Sequence, residues 1–262
     1  MSDDTPAAAP ALPAELWQRL STATVARIGL ARAGDGLATA PLLAFQADHA
    51  AARDAVWMPF APEVVQSLLP SFTPLVVSSA APDRATYLKR PDLGRRLSDA
   101  GRTTVAAHAG GYDVAVVVGD GLSAHAVHSH AAAVIQPLVQ HLTGLSVAPL
   151  VLVHQARVAT ADDIAALLGA RLVVMLIGER PGLSSADSLG AYVTYQPQPG
   201  VTRDADRNCV SNIRPAGLPP DAAAERIAAL VRAALQLGLS GVGLKEDTAL
   251  ALTPSRGSER LR

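Results

Sequence analysis

A carboxylate and a guanidinium stand side by side in Gly178-Glu179-Arg180-Pro181-Gly182-Leu183-Ser184-Ser185, directly after the apolar run Arg171–Gly178. At the carboxyl end of a strand buried on both faces, Glu179 is placed to accept hydrogen bonds from amide donors of a ligand. Pro181 and Gly182 fix the backbone behind it. A structural Glu179–Arg180 pair is the plainer alternative. Asp120-Gly121-Leu122-Ser123 follows a second apolar run, Tyr112–Gly119. Gly121 permits a sharp reversal, and Ser123 can cap the next helix and leave its amides facing a polar or anionic group. An ordinary strand-to-helix turn is the alternative there.

The single thiol, Cys209, lies in Arg207-Asn208-Cys209-Val210-Ser211-Asn212-Ile213. A nucleophilic cysteine needs a histidine base, and no histidine follows His154, so a packed or ligand-touching role is favoured. His125 and His128 sit at i, i+3, with His130 close by. They lack a recognisable third zinc ligand and acidic support, which favours exposed or capping histidines over a metal site. The chain has no G-x-G-x-x-G and no G-K-[ST]. The hydrolase elbow fails as well, because His125 stands where G-x-S-x-G requires glycine. Asp83–Arg96 is dense in charge. Its interleaved Tyr87, Leu88 and Leu93, with Leu97 just beyond, suit a solvated face or a partner interface.

Elements of alternating type must position these residues. Ala14–Arg32 and Thr39–Trp57 carry helical periodicity, and Pro62–Leu69 predicts a shorter helix. Leu75–Val77 reads as a short strand. From Gly110-Gly111 onward, strands alternate with helices. The strands are Tyr112–Gly119, Ala148–Val153, Arg171–Gly178, Ala191–Tyr195 and Asn208–Ile213. The helices are Ser123–Leu142, Ala161–Leu168 with Thr160 as N-cap and Gly169 past its end, and Asp221–Leu237 closed by Gly238. This alternation predicts an α/β fold with a parallel sheet and right-handed crossovers. The expected organisation is a disordered lead over 1–13, a mostly helical domain over 14–109, a Rossmann-like domain over 110–245 and a flexible tail over 246–262.

The chain has 262 residues, of which 49% are hydrophobic, 17% charged and 3% aromatic, with a net charge of -1. The balanced charge argues against a general nucleic-acid binder. One cysteine excludes an intrachain disulfide and any multi-cysteine metal cluster. The start, MSDDTPAAAPALP, lacks a basic region followed by an apolar stretch, and no apolar run approaches the length of a membrane span. The expectation is a soluble protein of a reducing compartment.

Taken together, five segments resemble the small subunit of ethanolamine ammonia-lyase. They are Thr24-Val25-Ala26-Arg27 with Gly34; Tyr87-Leu88-x-Arg90-Pro91-Asp92-x-Gly94-Arg95-Arg96-Leu97; Asp120-Gly121-Leu122-Ser123; Gly178-Glu179-Arg180-Pro181-Gly182-Leu183; and Cys209-x-Ser211-Asn212-Ile213. They run in family order over about residues 20–240. The resemblance implies a complex that uses adenosylcobalamin to convert ethanolamine to acetaldehyde and ammonia. A large subunit would carry the substrate site and the radical chemistry, and the two subunits would form a higher hetero-oligomer. It implies no catalytic residue and no metal ligand in this chain, and cobalamin contacts at Val158, Glu179 and Cys209. None of the seven histidines has Asp two positions before it, so the D-x-H-x-x-G pattern of other cobalamin enzymes is missing and the lower base is expected to stay on cobalt. Relatives destined for a bacterial microcompartment often begin with a longer amphipathic segment. The Ala/Pro-rich lead here favours a cytoplasmic enzyme instead.

Two other functions compete on the residues alone. One is a free-standing Rossmann-like enzyme that binds a nucleotide, or a hydrolase using Ser123. The other is an assembly protein with no ligand.

Overall fold

The computed structural model describes residues 13–24 and 26–245. The expected lead (apart from Pro13), the expected tail and Val25 lie outside the described residues. The chain divides into two compact units, Met1–Ala51 and Ala52–Arg262.

In the first unit, helix α1 (Ala14–Thr22) ends well short of the expected Arg32. Strands β1 (Arg32–Ala33) and β2 (Gly36–Leu37) form a small hairpin around Gly34, whose φ is 61°. The helix stops at Ala23, well before this turn, and Gly34 supplies the left-handed residue of the hairpin instead. Helix α2 (Thr39–Trp57) begins in this unit and keeps its expected span. Arg27 pairs with Asp48 at 2.5 Å and lies over the Phe45 ring.

The second unit is α/β, built on a six-stranded, mixed and mostly parallel sheet. Its strands are β3 (Leu75–Ser78), β4 (Val114–Gly119), β5 (Val151–His154), β6 (Leu172–Gly178), β7 (Leu189–Tyr195) and β8 (Arg207–Ile213), in the order β3-β5-β4-β6-β7-β8. The first four in that order run parallel. β7 runs antiparallel to both β6 and β8, which corrects the all-parallel expectation. The reason is local: a parallel return needs a crossover of about a dozen or more residues, usually helical. Residues 179–188 are too few and contain Pro181 and Gly182, and residues 196–206 supply only one 3-10 turn. The division expected at 109/110 is also corrected, because β3 pairs with β5 and so belongs to the same sheet as the later strands.

Every residue of β4 and β6 is buried, as expected of strands covered on both faces. On one face Val116, Val118, Val174 and Leu176 pack with Ile135 and Leu138 of α6 (Ala124–His141) and Ile227, Leu230 and Val231 of α8 (Pro220–Leu237). On the other, Val117, Val153, Val173 and Met175 pack with Val105 of α5 (Asp99–Ala106) and with Ile164 and Leu168 of α7 (Thr160–Leu168). Each such side chain, fully buried, contributes about 1.5–3 kcal/mol. Two short helices, α3 (Pro62–Ser67) and α4 (Arg84–Lys89), complete the unit. No helix among the described residues is long and apolar enough to cross a membrane.

Candidate functional site

The carboxyl ends of β4, β5 and β6 meet at a cleft of about 400 Å³ lined by Tyr87, Gly121, Leu122, Arg157, Val158, Ile177, Gly178, Glu179, Arg180 and Tyr192. Backbone packing makes this floor. Gly121 has φ 55°, and a Cβ there would overlap the Gly178 carbonyl oxygen; a Cβ on Gly178 would in turn overlap the Ser123 carbonyl oxygen. The two turns can touch only because both residues lack side chains.

Glu179 is held by two partners distant in sequence. Its Oε2 accepts from the Ser188 hydroxyl at 2.5 Å and from the Asn212 amide at 3.2 Å. Asn212 has φ 57°, and the β7–β8 register is irregular between Leu189 and Ala191. That irregularity accompanies the turn of the Asn212 N–H toward the carboxylate, and asparagine is one of the residues that accept such a conformation. Oε1 lies over Gly190, where a Cβ would stand 2.9 Å away, and Oε1 has no hydrogen-bond donor among the described residues. Arg180 is exposed and forms no ion pair with Glu179, so the structural Glu–Arg alternative fails.

Val158 lines the same cleft and rests on the core beneath α7. Cys209 does not line it. It sits within β8 rather than at a strand end, opposite Tyr192, which does line the cleft. The thiol is solvent-accessible, with Tyr192 opposite it across the β7–β8 pairing. Crowding by neighbouring strands raises its pKa, the Glu179 charge adds to the rise, and Tyr192 opposes it. Burial also raises the pKa of Tyr192. Among the described residues no histidine is hydrogen-bonded to this thiol to make a nucleophile of it.

Below the cleft lies a cluster that sequence reading missed. The Tyr87 ring is fully buried between Arg84, 4.9 Å from its centroid, and Arg157, 4.4 Å away. Its hydroxyl donates to the Ala156 carbonyl, and Gly94 packs flat against the ring. Arg84 donates to the carbonyls of Val56 and Gly121 and pairs with Asp120 at 3.4 Å. Asp120 also accepts from the Ala156 amide at 2.9 Å, which anchors the segment leading to Val158. The charge-dense Asp83–Arg96 run is therefore neither a solvated face nor a docking edge at Tyr87 and Gly94: both are buried. Their signal in the sequence was a tyrosine and a glycine embedded among charges.

Other expectations change. Ser123 caps α6 by accepting from the Ala126 amide, as expected, but it is fully buried and its hydroxyl donates to the Ala186 carbonyl. The Leu122 and Ser123 amides are used by the Gly178 and Asp120 carbonyls. Ser123 is therefore not available as a hydrolase nucleophile, and the amides of the turn itself are already engaged. Thr160 is not the cap of α7. Ala159 holds that position, and Thr160 instead donates to the Gly94 carbonyl at 2.5 Å. The histidines are packed rather than exposed: His128 accepts from the Ala61 amide and stacks on Phe60, and His130 pairs with Asp187 at 3.0 Å. Among the described residues no group of three or more His, Cys, Asp or Glu is placed to hold a metal ion.

A larger cleft of about 820 Å³ contains five arginines and five aspartates, so its charges balance and select for no ligand sign. The smaller cleft combines a carboxylate oxygen of Glu179, the guanidiniums of Arg157 and Arg180, and apolar walls.

Similarity to known proteins agrees with the segments that build this cleft. An ethanolamine ammonia-lyase small subunit from Ralstonia nicotianae is 52% identical over 258 residues, covering 95% of this chain and 94% of that protein. Those from Azotobacter vinelandii and Xanthomonas campestris are 51% identical over 266 residues and 52% identical over 244 residues. They cover 98% and 90% of this chain and 96% and 89% of their own lengths. The model of one family, the ethanolamine ammonia-lyase light chain (EutC), spans residues 14–245 and so takes in the glycine floor, the Glu179 cradle and the Tyr87 cluster together; the chain belongs to that family.

Proposed function

We propose that this chain is the cobalamin-holding, non-catalytic subunit of an adenosylcobalamin-dependent ethanolamine ammonia-lyase. One observation carries the reading: Glu179 presents an unengaged carboxylate oxygen in the same cleft as Val158, with Cys209 one strand away beside Tyr192. Adenosylcobalamin, when bound, supplies the radical chemistry. Glu179 accepts from an amide arm of the corrin periphery, and its two existing hydrogen bonds hold it in place. Val158 and Cys209 pack against the ligand. The cleft holds about 400 Å³, less than a cobalamin occupies, so this reading places the rest of the ligand against a second chain.

The second chain in this proposal is the large subunit, which carries the ethanolamine site. The two assemble as a higher hetero-oligomer in the cytoplasm, outside a microcompartment. The parallel half of the sheet serves as Rossmann-like folds do, with the ligand beyond the carboxyl ends of its strands. The test is to purify the chain alone and co-expressed with its large subunit, then measure bound cobalamin by absorbance and acetaldehyde release from ethanolamine. Cobalamin retention and turnover by the complex alone support the proposal. Turnover by the isolated chain, or a complex that retains no cobalamin, overturns it.

A further inference from the structure

Two guanidiniums flank Tyr87, and they are not equivalent. Arg84 has a counter-charge: its Nε and Nη1 reach backbone carbonyls and Asp120 supplies a carboxylate, although its Nη2 is buried with no hydrogen-bond partner. Arg157 has none: among the described residues no carboxylate lies within ion-pair distance of it, and its Nε too is buried with no hydrogen-bond partner. Its guanidinium is stacked 4.4 Å from the Tyr87 ring centroid and lines the cleft. Its backbone is fixed as well, because the Arg157 amide donates to the Gly94 carbonyl at 2.7 Å. The cluster thus contains two cations and one anion, with the surplus cation on the cleft wall.

A partly buried guanidinium stacked on an aromatic ring has lost much of its hydration and most of its rotamer freedom. A desolvated guanidinium without a counter-charge costs free energy that an anion meeting its cleft-facing side offsets. The planar fork of arginine suits a bidentate oxyanion, phosphate above all. Arg180 also lines the cleft but is exposed, so its charge is screened.

We infer that Arg157 is the anion-recognising residue of this cleft and that it takes the phosphodiester of the cobalamin nucleotide tail. The inference rests on the cobalamin reading. Chemistry narrows the choice: the corrin's side arms are neutral amides, and the tail phosphodiester is the anionic group of the ligand. Glu179 and Arg157 then divide the ligand by polarity. The carboxylate selects amide donors and the guanidinium selects the phosphate.

The test uses the assembled two-subunit enzyme and reads binding by equilibrium dialysis, with no turnover required. Cyanocobalamin, cyanocobinamide (which lacks the phosphate and base) and cobinamide phosphate (which regains the phosphate alone) are compared. Arg157→Gln is expected to weaken cyanocobalamin and cobinamide phosphate by about 10- to 100-fold, the scale of a lost charge-assisted hydrogen bond. Cyanocobinamide should change by less than about twofold. Arg157→Lys keeps the charge and stem but not the fork, and should fall between wild type and Arg157→Gln for the two phosphate-bearing ligands. Equal losses for all three ligands would make Arg157 a support for Tyr87 and overturn the inference, as would no loss for any. If the wild-type complex binds none of them, the cobalamin reading itself fails. A wild-type complex that binds all three while Arg157→Gln does not discriminate sinks only the Arg157 assignment.

Discussion

Arg207 and Asp162 form a bidentate ion pair, Nη1 to Oδ1 at 2.7 Å and Nη2 to Oδ2 at 2.6 Å, with each side chain 2% exposed. The pair ties the first turn of α7, which follows Arg157 and Val158, to the start of β8, which carries Cys209. Truncating one member leaves the other charge buried and unmatched, at a cost of about 3–5 kcal/mol. Asp162→Ala is expected to lose that much in urea unfolding. Asp162→Leu with Arg207→Met should recover most of the loss. A single variant within about 1 kcal/mol of wild type would show that solvent reaches the pair.

Glu179→Gln should raise the cobalamin dissociation constant of the assembled enzyme roughly 10- to 150-fold, from the loss of one charge-assisted hydrogen bond. Glutamine retains an oxygen for the Ser188 and Asn212 donors, so thermal unfolding should barely move. An unchanged constant would return Glu179 to a purely structural role in the β6–β8 connection.

The Cys209 thiol is accessible but weakly acidic, so alkylation should be slow near neutral pH and accelerate as pH rises. In the assembled complex, bound cobalamin should protect it. Peptide mapping after treatment with one thiol reagent, with and without cofactor, locates the label. Equal labelling in both states would remove Cys209 from the ligand surface. Cys209→Ser is expected to retain turnover at saturating cofactor.

Burial pushes the Asp120 carboxyl up to about 6, against the opposing pull of Arg84 and of the Ala156, Gln155 and Gly121 amides. In the unfolded chain the group ionises near pH 4. Between those values the folded state holds more protons, so the stability linked to Asp120 is greatest below about pH 4 and falls as pH rises through about 6. Two pKa units correspond to about 3 kcal/mol. The stability difference between wild type and Asp120→Asn should therefore shift by about 2–3 kcal/mol against wild type from pH 4 to pH 7. Urea unfolding at several pH values measures it, and a difference independent of pH would refute the raised ionisation.

Much of the sheet was legible because β4 and β6 are unbroken apolar runs, and α8 because its apolar positions fall on one side. The direction of β7 was not read, although the short Glu179–Ser188 connection contained the information. Helix α5 was missed because Asp-Ala-Gly-Arg-Thr-Thr has little apolar rhythm. Its start is set by Ser98, whose side chain accepts from the Gly101 amide. At the site, Glu179 was visible as an acceptor at a strand end. Its cradle was not, since Ser188, Gly190 and Asn212 meet it only after β7 and β8 have paired. Arg157 gave no local signal, because lacking a partner is a property of the folded surroundings.

The strand order also constrains how this protein can be made. β3 occupies one edge of the sheet and pairs only with β5, in a register that sets Leu75 beside Val151. β4, the next strand to be synthesised, is not its neighbour. On the ribosome, the apolar Leu75-Val76-Val77 stretch must therefore wait, without a sheet partner, until residue 154 has emerged. Over that interval the growing chain carries an unpaired strand edge, the kind of surface that invites association with other chains. Slowing elongation between residues 78 and 151 should lengthen that exposure, whereas slowing it beyond residue 154 should not.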